Sequence, residues 1–308
     1  MPTELVAAEE PVAELPLPRE PLTVVVVHRR RPASVVRTVD ALRAQWDGLR
    51  VLIVDNASSE EDRRVLASID AEVVELDENI GFGPAANVGL RRWLADGEGS
   101  WCLVCPHDAL VEDGCLELLV EAATAQPRAG MASAEYSDGQ YGKTHRVKPE
   151  INPILGTYLV PAEVEHGWED AAHPHGTMMV LGRDCLEDIG LFDERYFAYS
   201  EEADLALRAT RAGWKVGIVW GAVVRNTGMT SEEGVPEYLM QRNTLMLVRD
   251  HFGRGSASAM FVLALWTCVL GTLVPSKRPI FWHRTARWLA LYDFLRGRDG
   301  LPHPWLTR

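Results

Sequence analysis

The sequence predicts an α/β fold built on a doubly wound, mostly parallel β-sheet flanked by helices. Three observations carry that expectation. Residues 23–27 and 51–54 are β-branched and aliphatic runs without polar alternation, which suits strands buried on both faces. Segments with helical apolar spacing alternate with such runs. The runs end in polar, Asp-containing or Gly-rich turns, and doubly wound sheets bind ligands outside the carboxyl ends of their strands.

The elements follow in order. Residues 1–20, rich in Glu, Pro and Ala, read as a flexible leader without the charged-then-apolar pattern of a secretory signal. Arg30, Arg31 and Pro32 break the first strand. Ser34 suits an N-cap for a helix to about Gln45, with Val35, Val36, Val39 and Leu42 on one face. The second strand runs into Asp55-Asn56-Ala57-Ser58, a helix follows over 60–69, and a third strand occupies 72–76. The turn Asn79-Ile80-Gly81-Phe82-Gly83-Pro84 opens a helix containing Asn87 and Leu90. A fourth strand over 101–105 ends in Pro106-His107-Asp108-Ala109, and 116–125 is helical. The stretch 130–170, with many Gly and Pro, reads as irregular and as a candidate acceptor-binding loop. A strand over 176–181, helices over 183–189 and 201–212, a short strand over 215–219 and a helix over 237–252 complete a main domain expected over 21–252.

Residues 253–308 are expected to form a helical C-terminal segment. Within it, 256–275 carries no charge and is long enough to span a bilayer. Its Ser, Thr and Gly content fits a buried or an interfacial helix equally well. The basic flanks (Arg249, Arg254, Lys277, Arg278, Arg284, Arg287) and Trp266, Trp282 and Trp288 suit an anionic membrane surface. The same segment is a candidate homo-oligomer contact.

Charge and cysteine content narrow the function. The net charge of −13 argues against nucleic-acid binding, and an anionic ligand must be held by local charge, backbone donors or a metal. Five cysteines include Cys102 and Cys105 in a C-x-x-C, but no second half-site follows at zinc-ribbon spacing. They read as reduced, buried thiols of a cytoplasmic protein.

Carboxylates at strand and helix ends carry the chemistry. Asp55 can accept from a nucleobase N–H or a ribose hydroxyl, or cap the next helix. Asp108 can reach a hard cation, or simply form a turn. Glu201, Glu202 and Asp204 stand at a helix start, where the dipole favours acids. A crowded, desolvated carboxylate there has a raised pKa and makes a better general base.

Five segments occur in order: Val24-Val25-Val26-Val27, Val54-Asp55-Asn56-Ala57-Ser58, Asn79-Ile80-Gly81-Phe82-Gly83, Pro106-His107-Asp108-Ala109, and Gly190–Phe197 followed by Glu201-Glu202-Ala203-Asp204-Leu205. Together, over about residues 22–252, they resemble glycosyltransferase family 2 of the GT-A fold, in its rhamnosyltransferase-like bacterial branch. The resemblance implies an inverting transferase using a dTDP- or UDP-linked sugar, with a glycan, lipid-linked sugar or small molecule as acceptor, in the cytoplasm or at the inner membrane face. It implies that Asp55 contacts the nucleobase, that Asn79, Gly81 and Asn87 shape the nucleotide pocket, that Asp108 holds Mg2+ or Mn2+, and that Glu202, with Glu201 beside it, deprotonates the acceptor. Asp204 is expected to fix the helix start or pair with Arg208.

The sequence departs from that pattern in three places. His28-Arg29-Arg30 replaces a Thr-Tyr-Asn-like segment, and Arg30 is a candidate diphosphate ligand. The metal motif holds a single Asp. The stretch 224–228 lacks the family's His, for which His173 or His175 are candidate substitutes. A catalytically degenerate nucleotide-sugar or glycan-binding protein is therefore the alternative reading.

Overall fold

A computed structural model describes residues 20–96, 98–138, 146–226, 234–278 and 282–306, so the expected leader lies outside it apart from Glu20. β1 (Thr23–His28), β2 (Arg50–Asn56) and β3 (Glu72–Leu76) pair in parallel, joined by α1 (Pro32–Arg43) and α2 (Glu60–Leu66). α3 (Phe82–Asp96) carries the chain back across the sheet, and β4 (Trp101–Pro106) pairs with the other side of β1. The strand order reverses there, which opens a crevice at the carboxyl ends of β1 and β4.

β5 (Ala109–Val111), α4 (Cys115–Ala125) and β6 (Ala129–Asp138) follow, then β7 (Val147–Asn152), β8 (Gly156–Pro161), β9 (Gly167–Asp170) and β10 (Met179–Gly182). Next come α5 (Arg183–Ile189), α6 (Glu201–Arg211), β11 (Lys215–Asn226), α7 (Val235–Leu273) and α8 (Arg284–Leu295). The sheet order is β3-β2-β1-β4-β10-β6-β11-β5, with β9 also on β11. Strands β5, β9 and β10 run against the others. β7 and β8 form a separate hairpin.

Two cores explain the continuous apolar runs. Val24 and Val26 pack with Val35, Val39, Leu116 and Leu119 on one face, while Val25 and Val27 pack with Leu90, Trp93 and Leu205 on the other. Each such fully buried aliphatic side chain contributes about 1.5–3 kcal/mol relative to an exposed one. The same alternation settles the C-x-x-C. Cys102 lies in one core and Cys105 in the other, on opposite faces of β4, so they do not form a shared metal half-site. All five cysteines are buried and free.

Several local expectations are corrected. Ser34 lies inside α1; Arg31 is the N-cap, without a side-chain bond, and Pro32 starts the helix. Thr38 replaces Val36 on the buried face. The described residues of 130–170 are largely strand, with β6 sandwiched between β10 and β11 in pairings that no local pattern announces. The strand expected over 176–181 begins at Met179, and the short strand at 215 extends to Asn226. The helix expected over 237–252 does end at a break at Gly253, whose φ of +89° a side chain would oppose, and a second arm continues to Leu273.

Candidate active site

The crevice collects polar residues from five chain segments. His28 ends β1 in register with Asp55 on β2, and Pro106 ends β4 beside Val27. Asp55 is 0% exposed. Its Oδ2 accepts from Arg63 Nε at 3.1 Å and Ser58 N at 3.3 Å, while Oδ1 has no partner. An orphaned buried carboxylate oxygen is costly, and no donor among the described residues offsets this one. Arg30 follows β1 with φ +53°, exposed, its N–H donating to Ser58 Oγ at 2.8 Å.

Asn56 pins the Gly-rich turn. Its Nδ2 donates to Gly81 O and its Oδ1 accepts from Ile80 N, both at 2.9 Å. Asn79 Oδ1 accepts from Gly81 N at 3.2 Å. Gly81 has φ +102°, and a Cβ there would stand 2.0 Å from Phe197 O. That carbonyl also accepts from Phe82 N at 2.7 Å, so the turn is clamped against the segment leading into α6. Asn87 clamps the same segment from below. Its amide bonds both N and O of Phe192 and reaches Glu194 Oε1 at 3.1 Å.

The start of α6 is strained. Among the described residues, five non-glycine residues have positive φ, and Arg30, Ala57, Tyr199 and Ser200 of these flank the crevice. Such backbone costs about 1–3 kcal/mol per residue and persists only where surroundings enforce it. The enforcement comes from α7. Asn243 Nδ2 donates to Ala198 O at 2.9 Å and Tyr199 O at 2.8 Å, and its Oδ1 accepts from Arg242 Nε at 3.0 Å. Both residues are 0% exposed. Asn243→Ala is expected to lower folding stability by about 2 kcal/mol or more, because Arg242 and two carbonyls lose a buried partner, as a denaturant titration would read.

Glu201 is 4% exposed, its Oε2 unpartnered, and Glu202 beside it is half-buried. Burial pushes Glu202 up to about 7. Burial, then repulsion by Glu202, pushes Glu201 well above the usual carboxylate range. Asp204 is structural: its Oδ2 accepts from Arg208 Nε at 2.9 Å, as the i, i+4 spacing predicts, and its Oδ1 bonds His251 Nε2 at 2.7 Å.

Asp108, Glu201 and Glu202 line one cavity of about 460 Å³, together with His107, His175 and Asn226. Asp55, Asn79, Gly81 and Arg30 lie beside it rather than in its lining, and Asn87 is buried behind them. Asp108 Oδ1 accepts from Asn226 Nδ2 at 3.2 Å. No Lys or Arg stands in the lining among the described residues, nor do three metal-ligating side chains cluster anywhere among them. His173 is buried away from the cavity, its Nδ1 against Pro174 O. Burial holds His175 and His28 down at about 4, so both are neutral at pH 7.

Three features of the site escaped sequence reading. His28 is 0% exposed, both ring nitrogens unpartnered, its ring edge-on to His107 at 5.3 Å. Asn226 sits against Asp108 within the stretch that lacks a His, whose Thr227 and Gly228 lie outside the described residues. The Arg242-Asn243 pair was signalled only by its polarity inside an apolar helix.

The fold defines a class, the GT-A-type α/β transferases. It is similar to a mannosyltransferase from Pyrobaculum calidifontis solved in complex with GDP-Man and Mn2+, with TM-score 0.62 and 16% identity over 94% of this chain and 91% of that one. It is also similar to GalNAc-T7 solved with UDP, GalNAc and Mn2+, with TM-score 0.59 and 13% identity over 90% of this chain and 56% of that one. The chain belongs to glycosyl transferase family 2, whose model matches residues 23–190. Among curated relatives, it is 26% identical over 198 residues to the N-acetylglucosaminyl-diphospho-decaprenol L-rhamnosyltransferase of Mycobacterium tuberculosis, covering 53% of this chain and 62% of that protein. It is 24% identical over 168 residues to the low-salt glycan biosynthesis hexosyltransferase Agl10 of Haloferax volcanii, covering 54% and 55%. The match thus spans less than two thirds of these relatives.

Proposed function

We propose that the protein transfers a sugar from a dTDP- or UDP-linked donor to an acceptor hydroxyl with inversion at the anomeric carbon. One observation carries this reading: Asp108 and the Glu201–Glu202 pair, far apart in sequence, line one cavity at the strand-order reversal. Asp55 Oδ1 accepts from the nucleobase N–H. The turn 79–83 shapes the nucleotide pocket, and Arg30 reaches the diphosphate from the rim. Glu202 takes the proton of the acceptor hydroxyl as its oxygen bonds to the anomeric carbon. The bond from that carbon to the donor phosphate oxygen breaks, and its electron pair leaves with the diphosphate. Glu201 lies buried beside Glu202, and burial keeps the Glu202 carboxylate basic.

The lining supports a divalent cation. With Asp108 and the Glu201–Glu202 pair in the lining and no cationic side chain there among the described residues, the cavity offers a diphosphate no positive charge. Asp108 offers the hard oxygen donor that Mg2+ or Mn2+ prefers, with diphosphate and water completing the shell. Such an ion, when bound, neutralises charge on the leaving group. The Mn2+ present in both similar structures supports the same reading. Asp108→Asn is expected to raise the cation concentration for half-maximal turnover more than about tenfold, measured by titrating Mg2+ and Mn2+ against donor consumption.

The lipid-linked acceptor named for the mycobacterial relative supports a lipid-linked sugar as acceptor here, at the inner face of the membrane. The catalytic unit would span 21–252 and the attachment segment 253–308. The decisive experiment incubates the protein with a panel of nucleoside diphosphate sugars and cation, following donor hydrolysis and transfer by mass. Turnover that is lost with Glu202→Gln is the expected result. Nucleotide binding with no turnover of any donor would instead mark a degenerate binding protein.

A further inference from the structure

One face of the molecule takes no part in the cleft. The second arm of α7, residues 254–273, packs on α8 along an inner seam in which Leu245, Cys268 and Leu291 are buried and the Phe261 and Phe294 rings stack at 6.0 Å. The outer side of both helices is apolar and open. On α7, Val262, Trp266 and Leu273 are 64%, 61% and 74% exposed; on α8, Tyr292 and Leu295 are 54% and 68% exposed. Trp288 Nε1 donates to Thr272 Oγ1 at 3.2 Å, so the two stripes adjoin. A groove of about 320 Å³, lined in part by Leu155, Met240, Met260 and Leu263, adds the turn after β7 to the same face. A surface helix ordinarily turns its polar side outward, and a continuous apolar face marks a partner.

Charge selects the partner. Residues 253–308 hold eight Lys and Arg against two Asp, in a chain whose net charge is −13, and no acid occurs between Asp250 and Asp293. Arg254, Lys277 and Arg284 are exposed around the stripes. A second copy docked face to face would bring two basic rims together, which is unfavourable. An apolar face with Trp and Tyr and a basic rim matches the headgroup region of an anionic bilayer. The acidic remainder of the chain is repelled by that surface, so the orientation is set. By length and composition α7 could cross a membrane, but its second arm also packs against its own protein: a Cβ at Gly271 would stand 2.5 Å from the Trp282 ring.

We infer that this face docks the protein on an anionic lipid bilayer, the second arm of α7 and α8 lying flat in the headgroup region. One consequence rests on the glycosyltransferase reading. The first arm of α7 gives Val235 and Leu239 to the reaction cavity and Met240 and Thr244 to the lipid-facing groove. An acceptor anchored in the bilayer would reach Glu202 across the width of one helix.

The test is co-sedimentation of the full chain with vesicles of phosphatidylcholine alone or mixed with phosphatidylglycerol, at low and high salt. Binding to the anionic vesicles, reversed by salt, is the expected result. Lys277→Gln with Arg284→Gln should weaken it about thirtyfold, at about a fivefold factor per charge, and Trp266→Glu should abolish it. Each variant is checked by circular dichroism and by donor hydrolysis without vesicles, both of which should be unchanged. Failure to bind anionic vesicles overturns the inference. So does retention through high salt and alkaline carbonate, which would mark a spanning helix, or a dimer in vesicle-free solution that Trp266→Glu dissociates. Vesicle binding without turnover of any donor would sink the glycosyltransferase reading and leave the docking intact.

Discussion

Glu202→Gln is expected to cut turnover by about 10²–10⁴-fold while leaving donor binding nearly unchanged, because the amide keeps the shape and loses the base. The wild-type rate should rise with pH through about 7 and then level, since Glu202 must be ionised to accept the proton and burial holds its pKa near 7. The variant should lose that inflection. Its stability should move the other way. A carboxylate whose folded pKa is raised stabilises the fold below its unfolded value near 4.5 and loses that contribution as pH climbs through 7. At pH 8 the wild type therefore carries a half-buried charge that Gln lacks, and the variant should be more stable by about 1–3 kcal/mol. Lower activity with higher stability is the mark of a strained functional carboxylate. Wild-type turnover that is flat between pH 5 and 9, or a variant as active as the wild type, would remove Glu202 from the base role.

Gly81→Ala is expected to have the largest structural effect of any single methyl group in the cleft, about 3 kcal/mol or more. Its Cβ would fall 2.0 Å from the Phe197 carbonyl, which is backbone and cannot swing aside, and its φ of +102° already disfavours a side chain. Relieving the clash means separating the turn from the segment that feeds α6, so nucleotide binding and turnover should fall together. Gly48→Ala is the control. Its φ is +73°, yet a Cβ there meets nothing within 4 Å, so only the backbone cost of about 1 kcal/mol remains. Denaturant titration of both variants separates clash from dihedral strain; equal losses would mean that the contact with Phe197 contributes nothing.

The contrast between legible and illegible parts follows chemistry. Val24 to Val27 could be read as a two-faced strand because every side chain must leave water, whichever neighbours it finds. β3 was read at its observed limits from local pattern and turn residues alone. β6 has no legible signal because its partners, β10 and β11, come from sequence far downstream. Asp108 could be singled out because an acid after a buried strand must face an opening. Its neighbour Asn226, 118 residues away, could not. The Arg242-Asn243 clamp carries no local signal beyond its polarity, because the carbonyls it holds, on Ala198 and Tyr199, lie 45 and 44 residues upstream of Asn243.

By itself the sequence determined that the segments of β1 to β4 form strands, roughly where those four end, and which acids follow them, because hydrophobic periodicity and turn chemistry act over a few residues. Only the tertiary structure decided that Asp108 and Glu202 share a cavity, that Tyr199 and Ser200 are held in left-handed backbone, and that α7 turns an apolar stripe outward beyond Gly253. Those outcomes depend on contacts between residues tens to hundreds of positions apart. Their energies exist only once the chain has closed on itself.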